Sequence, residues 1–163
     1  MGGKTGVVCV DRFPACRQGI RTAIERHDDL TCCGDSDRAT EGVDMLVRTQ
    51  ATVLVTEIDV PDHSACFAAI RELKEKARRS AVVVFTRFAD PELFDRLVAV
   101  GISGFLTKLC SLEDLVAVIR QAARGEKALH SPPPDSHTDG RWNGTSPTGA
   151  VKLLSTREIE VAR

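Results

Sequence analysis

Five residues stand where chemistry is possible: Asp11, Arg12, Glu57, Thr86 and Lys108. Each lies at, or one or two positions past, the end of a short apolar run. Val-Val-Cys-Val precedes Asp11, Val-Leu-Val-Thr precedes Glu57, Val-Val-Val-Phe leads into Thr86 and Gly-Phe-Leu-Thr into Lys108. One charged residue closing a strand is ordinary. Two carboxylates, two cations and a hydroxyl at four strand ends are a set that can bind and orient a small ion, and Asp11, Glu57, Arg12 and Lys108 sum to no net charge. No nucleophile and base pair up among them. No glycine-rich phosphate loop follows the first run either, because Arg12-Phe13-Pro14 stands there, which argues against a small doubly wound enzyme or nucleotide binder.

Other candidate sites are weaker. Gly3-Lys4-Thr5 echoes a phosphate-binding loop but lacks its first glycine and the strand before it. His27 with Cys32 and Cys33 falls one ligand short of a zinc site, and adjacent cysteines on a strand face opposite ways. The six cysteines sit among apolar residues rather than in turns, which reads as buried thiols in a reducing compartment. His63 is read as an exposed loop histidine and the basic run 71–79 as a solvated helix face. With 22 Lys and Arg against 23 Asp and Glu, the chain has no overall basic footprint for nucleic acid or an anionic membrane. It shows no signal peptide and no run long enough to span a bilayer, so a soluble, cytoplasmic protein is expected.

The elements that must position the five residues follow from periodicity. Strands are expected over 6–10, 30–33, 52–57, 81–86 and 104–107, and helices over 14–26, 38–49, 64–76, 91–100 and 112–124. Asp90-Pro91 and Ser111-Leu-Glu-Asp114 mark helix starts, and Gly101 and Gly125 mark stops. Strands alternating with helices require right-handed crossovers, hence a doubly wound parallel sheet of (βα)5 type in the α/β class. In such a sheet the carboxyl ends of the strands form the crevice, so all five residues converge there. Residues 131–150 hold four of the chain's seven prolines and read as a flexible linker. After it, Leu154-Ser155-Thr156-Arg157-Glu158-Ile159 combines a capping box with a hydrophobic staple, the opening of another helix.

These motifs carry a family resemblance. Residues 10–20 (Val-Asp-Arg-Phe-Pro-Ala-Cys-Arg-Gln-Gly-Ile), Glu-Ile-Asp-Val-Pro (57–61), Val-Val-Val-Phe-Thr (82–86), Asp-Pro-Glu (90–92) and Gly-Phe-Leu-Thr-Lys (104–108) resemble a bacterial response-regulator receiver domain of the NarL/FixJ type. Residues 153–162 resemble the opening of a LuxR-type helix-turn-helix domain. The resemblance implies a flavodoxin/CheY-like receiver fold with strand order 2-1-3-4-5 over residues 1–130, a linker over 131–150 and a truncated DNA-binding domain over 151–163. In that family an aspartate ending the third strand accepts a phosphoryl group, two acids after the first strand help hold Mg²⁺, and a hydroxyl residue and a lysine grip the phosphate.

Carried over residue by residue, Asp11, Thr86 and Lys108 match, and Phe105 stands at the position of the aromatic that reorients on activation. Two positions depart. Arg12 replaces the second acid, and Glu57 occupies the phosphoacceptor position. The usual three carboxylates and one lysine balance at −2; here the sum is zero, so Mg²⁺ should bind poorly, with Asp11 as the remnant of its site and no cofactor expected. Phosphoryl transfer then loses its main charge stabilisation. Glu57, one methylene longer than aspartate, reaches toward Lys108 and Thr86, and a salt bridge to Lys108 or Arg12 is expected. The expectation is a non-enzymatic pseudo-receiver that dimerises and regulates a transcription factor, with DNA bound through the domain this chain barely begins. Three modes stay open in the sequence, a fixed dimer, control by a small molecule and control by a partner protein; use of Asp59 as an acceptor is the alternative. Candidate interfaces are the face of the fourth helix, fifth strand and fifth helix and that of the first and fifth helices, with Leu115, Val118, Ile119 and Ala122 as core or contact positions.

Overall fold

Runs of successive apolar residues place strands at the centre of the molecule, and amphipathic helices cover both of their faces. The computed structural model describes residues 3–58, 63–88 and 90–129. Strand β1 (Thr5–Val10), helix α1 (Pro14–Glu25), β2 (Leu30–Ser36), α2 (Ala39–Thr49), β3 (Val53–Thr56), α3 (Ser64–Lys76), β4 (Ala81–Thr86), α4 (Pro91–Val100), β5 (Gly104–Thr107) and α5 (Leu112–Ala123) follow one another, with a short β6 (Ala128–Leu129) at the end. The sheet is parallel throughout, in the order β2-β1-β3-β4-β5-β6. The (βα)5 fold and the order 2-1-3-4-5 are therefore as the sequence implies. The sixth strand adds two residues beside β5.

Alternation along the strands divides the core in two. Val8, Val10, Leu54, Val82, Val84 and Phe105 pack toward α2, α3 and α4. Val7, Cys9, Val53, Val55, Val83 and Phe85 pack toward α1 and α5. Each side chain of this size stabilises the fold by about 1.5–3 kcal/mol when fully buried. Leu115, Val118, Ile119 and Ala122 all belong to the second layer and are buried. They are core positions, and the contact role offered for them falls away.

Strand β2 is longer than its sequence suggests. The expected strand stops at residue 33, yet the strand continues through a bulge to Ser36: Val7 pairs with Cys32, Val8 with Gly34, and Cys33 is left over. Cys32 packs on the α1 and α5 side and Cys33 on the other. Gly34, at φ 155°, lies so close to α2 that a Cβ there would stand 2.0 Å from Met45 Sδ. Gly42 plays the reciprocal part, since a Cβ on it would reach 2.2 Å from Val10 Cγ2. Two glycines thus let α2 lie down on β1 and β2 beside Asp11.

The expected caps form. Asp90 accepts from Glu92 N (3.0 Å), Ser111 and Asp114 close a capping box, and Gly101 ends α4 in the left-handed region at φ 96°. The linker 131–150, the helix-turn-helix opening 151–163 and Asp59 lie outside the described residues.

Candidate functional site

The parallel sheet brings four strand ends to one edge, and the expected residues meet there. Asp11, one residue past β1, is 1% exposed; Glu57, one past β3, is 7% exposed. Two ionised carboxylates buried side by side repel unless a cation stands between them. Lys108 is that cation. Its Nζ donates to Asp11 Oδ2 and lies 2.6 Å from Glu57 Oε2. Burial pulls the Lys108 ammonium toward its neutral form, but hydrogen bonds and charge attraction from Asp11 and Glu57 outweigh it, so its pKa lies above the usual lysine value. Of the two cations expected to meet Glu57, the structure places Lys108 there.

Backbone and second partners hold each carboxylate in place. Phe13 N donates to Asp11 Oδ1 (2.8 Å), which turns the chain into α1, and Ile58 N donates to Glu57 Oε1 (2.8 Å). Glu57 Oε2, buried from solvent, lies against the Lys108 ammonium and completes the ion pair. Thr86 is fully buried, and its hydroxyl oxygen accepts from Phe88 N (3.2 Å), bracing the turn after β4. Phe105 is 1% exposed and meets Phe94 edge-to-face at 5.2 Å, which holds it inside the core. Arg12 lies at the surface with its guanidinium 5.6 Å from the Phe13 ring.

Several residues at the site have parts that neither periodicity nor the resemblance assigns. Arg17 donates to Asp11 O (2.6 Å) and to Asp35 Oδ2 (2.9 Å), tying α1 to the ends of β1 and β2. Phe13, 39% exposed, has Arg12, Arg87 and Lys108 around its ring at 5.1–5.8 Å. Cys16 lies 3.8 Å from Lys108 Nζ. On the side away from Lys108, a cleft of about 200 Å³ opens between the starts of α2 and α3. Asp11, Arg12 and Glu57 line it, together with Asp37, Arg38 and Thr40.

The resemblance noted in the sequence implies Mg²⁺ held by carboxylates of this crevice. The residues present do not suit it. Magnesium needs near-octahedral oxygen ligation, and here an ammonium already engages both carboxylates while a guanidinium replaces the third. Among the described residues no three His, Cys, Asp or Glu side chains are grouped to hold a metal, those of His27, Cys32 and Cys33 included. Nor is any described helix long and apolar enough to cross a membrane.

Comparison with known proteins agrees with the fold. The model of the response regulator receiver domain matches residues 7–120. The nitrate/nitrite response regulator protein NarL of Escherichia coli (strain K12) is 23% identical over 158 residues, covering 96% of this chain and 73% of NarL. The uncharacterized transcriptional regulatory protein YvfU of Bacillus subtilis (strain 168) is 29% identical over 110 residues, covering 68% of this chain and 54% of YvfU. The chain thus spans between about half and three quarters of these relatives. Among solved structures, RcsB from Salmonella enterica serovar Typhimurium bound to promoter P1flhDC in the presence of phosphomimetic BeF3- superposes with a TM-score of 0.66 at 21% identity, covering 76% of this chain and 62% of that one. With the family's match running from β1 into α5 over the crevice and its five strands, the chain belongs to the response regulator receiver domain family.

Proposed function

We propose that this chain is the regulatory receiver domain of a DNA-binding transcriptional regulator and that it works without conventional aspartyl phosphorylation. The observation that carries this reading is the bridge from Lys108 to Asp11 and Glu57. In the family's chemistry the lysine grips the phosphoryl group, and acids after the first strand help hold a metal. Here the three charges satisfy one another, and the longer Glu57 side chain brings its own negative oxygen to the lysine. The crevice holds internally the kind of contact that a phosphoryl group would otherwise supply. It is a non-catalytic domain in this reading.

The output follows from the relatives, which include transcriptional regulatory proteins and an RcsB structure determined on a promoter. Residues 151–163 would open a LuxR-type helix-turn-helix domain, joined by the linker 131–150, and a homodimer would set the spacing of two recognition helices. With Leu115, Val118, Ile119 and Ala122 buried in the core, a dimer would have to use other side chains of α4, β5, α5 and α1.

Incubation with Mg²⁺ and acetyl phosphate, followed by intact mass, tests the central claim. The expected outcome is an unmodified chain. A stoichiometric phosphoryl adduct overturns it, and mapping that adduct to Asp59 would establish the alternative acceptor. As a positive arm, the double substitution Arg12→Asp with Glu57→Asp restores the family's acid count and should gain both Mg²⁺ binding and the adduct.

A further inference from the structure

At the edge of the sheet opposite the crevice, two lysines close on one turn. Gly101-Ile102-Ser103 carries the chain from α4 into β5. Lys74, near the end of α3, runs along one side of it: a Cβ on Gly101 would stand 3.7 Å from Lys74 Cε, and Lys74 Nζ donates to Ser80 O at 3.3 Å. Lys127, just before β6, comes in from another side and donates to Ile102 O at 2.6 Å. An ammonium has three protons to donate, so each keeps donors in hand after its carbonyl.

No acid offsets the two charges. On α3, Glu72 pairs with Lys76, and Glu75, next to Lys74 in the chain, points off another face of the helix, while Arg71, one turn back, is a further cation. Glu126, beside Lys127, pairs with Arg124. Strand β6 runs parallel to β5 and so leads the chain away from the pair. Among the described residues no carboxylate faces either ammonium. Burial first, and the charge of Lys127 second, hold Lys74 below the ordinary lysine value. A free anion would meet two ammoniums open to water and bind weakly. A negative group built on Lys74 itself carries no such loss, and an ε-amine beside another cation is the kind that acts as a nucleophile. Carbon dioxide makes that amine an anion with no oxidant, reductant or leaving group.

We infer that Lys74 is a site of reversible carbamylation by carbon dioxide, its carbamate held by the ammonium of Lys127. The lone pair of the neutral nitrogen forms the C–N bond, one C=O π pair moves onto oxygen, and the nitrogen gives up one proton to water. The carbamate keeps an N–H for Ser80 O and turns its oxygens to the spare protons of Lys127. Two like charges thereby become one of each sign. Lys127 stays tied to Ile102 O, so the new pair would brace the turn at the root of β5, the strand that leads to Lys108. The site uses no residue of the crevice and stands or falls apart from the reading of phosphorylation.

Trapping tests it on the whole 163-residue chain. The protein is equilibrated with isotopically labelled bicarbonate and dissolved carbon dioxide at mildly alkaline pH, carbamates are fixed as esters with a trialkyloxonium salt, and the adducts are mapped by proteolysis and mass spectrometry. Lys74 should carry the trapped group at roughly ten times the occupancy of the exposed Lys4. One labelled carbamate signal in carbon NMR should vanish in Lys74→Arg, which keeps the positive charge. Lys127→Gln leaves the burial of Lys74 in place and removes only the partner ammonium, so occupancy should fall to that of Lys4. Circular dichroism checks that both variants fold. The inference is overturned if Lys74 in the parent is trapped no more than Lys4, or if Lys127→Gln is trapped at Lys74 as fully as the parent.

Discussion

Lys108 and Lys74 are both partly buried, at opposite edges of one sheet, and their surroundings treat the same ammonium in opposite ways. At the carboxyl edge Lys108 is engaged by Asp11 and Glu57, and its pKa is raised in spite of burial. Near the amino edge Lys74 donates to Ser80 O at 3.3 Å and faces the positive charge of Lys127, which donates to Ile102 O at 2.6 Å. Burial, then Lys127, lowers the pKa of Lys74, and burial lowers that of Lys127. A backbone carbonyl satisfies a donor but does not compensate a charge. The difference separates a charge around which a site is organised from one that the fold only tolerates.

The comparison breaks most readily at Lys108. Lys108→Met leaves two buried carboxylates without a cation and should cost about 3–5 kcal/mol of unfolding free energy in urea at pH 7. Adding Glu57→Gln to that variant should recover part of the loss. A cost near zero for the single substitution would mean that the bridge does not organise the crevice. Next in size, Glu57→Gln alone keeps the acceptor for Ile58 N but removes half of the compensation, for an expected loss of about 1–3 kcal/mol in the same assay.

Alkaline titration separates the two edges by sign. The folded pKa of Lys108 is raised, so its contribution is complete below the unfolded lysine value of about 10.4 and fades as pH rises through the folded value. Lys74 and Lys127 have lowered folded values; the unfolded chain binds the proton more tightly, and stability rises with pH from their folded values up to that same 10.4. Cys9, Cys110 and Lys76 also have raised values, so the alkaline decline should be shallower in Lys108→Met than in the parent, with the rise kept. A matching decline in the variant would refute the assignment. Lys74→Met removes a penalised charge and should be neutral or stabilising by up to about 1 kcal/mol by thermal unfolding, the reverse of its counterpart.

The smallest effect is expected at a third pair. Arg120 forks onto Asp29 with two bonds of 2.8 Å, pulling the Asp29 carboxyl down to about 2. That contribution is present above the ordinary carboxylate range and lost as pH falls toward 2. The pair is exposed to water and salt, so Asp29→Asn should be indistinguishable from the parent at neutral pH and physiological salt. A large loss there would show that bidentate geometry matters as much as burial.

Much of this molecule is legible in its residues because two periodicities are strong. Val-Leu-Val-Thr and Val-Val-Val-Phe-Thr have no polar face to turn outward, so they must be central strands, and the order of strands and helices then admits one doubly wound sheet. Asp11, Glu57, Thr86 and Lys108 could be named in advance because strand ends are countable. Strand β2 was harder to read: the expected strand stops at residue 33, and only the approach of Met45 from α2 explains the glycine inside the longer strand. Arg17, Phe13 and Arg38 gave no signal either, since each is an ordinary polar or aromatic residue until packing puts it beside Asp11, Lys108 or the cleft.

Residue types and spacing alone determine the parallel sheet, the edge at which the site lies and the zero charge sum of its four ionisable groups. Only the tertiary structure decides that Lys108 takes both carboxylates, that Thr86 turns to its own loop and that a two-signed cleft opens beside Arg38. The reason is one of scale. Strand periodicity acts over neighbouring residues and is written in composition, whereas an ion pair between positions 11 and 108 depends on ångström placement that only the packed sheet supplies.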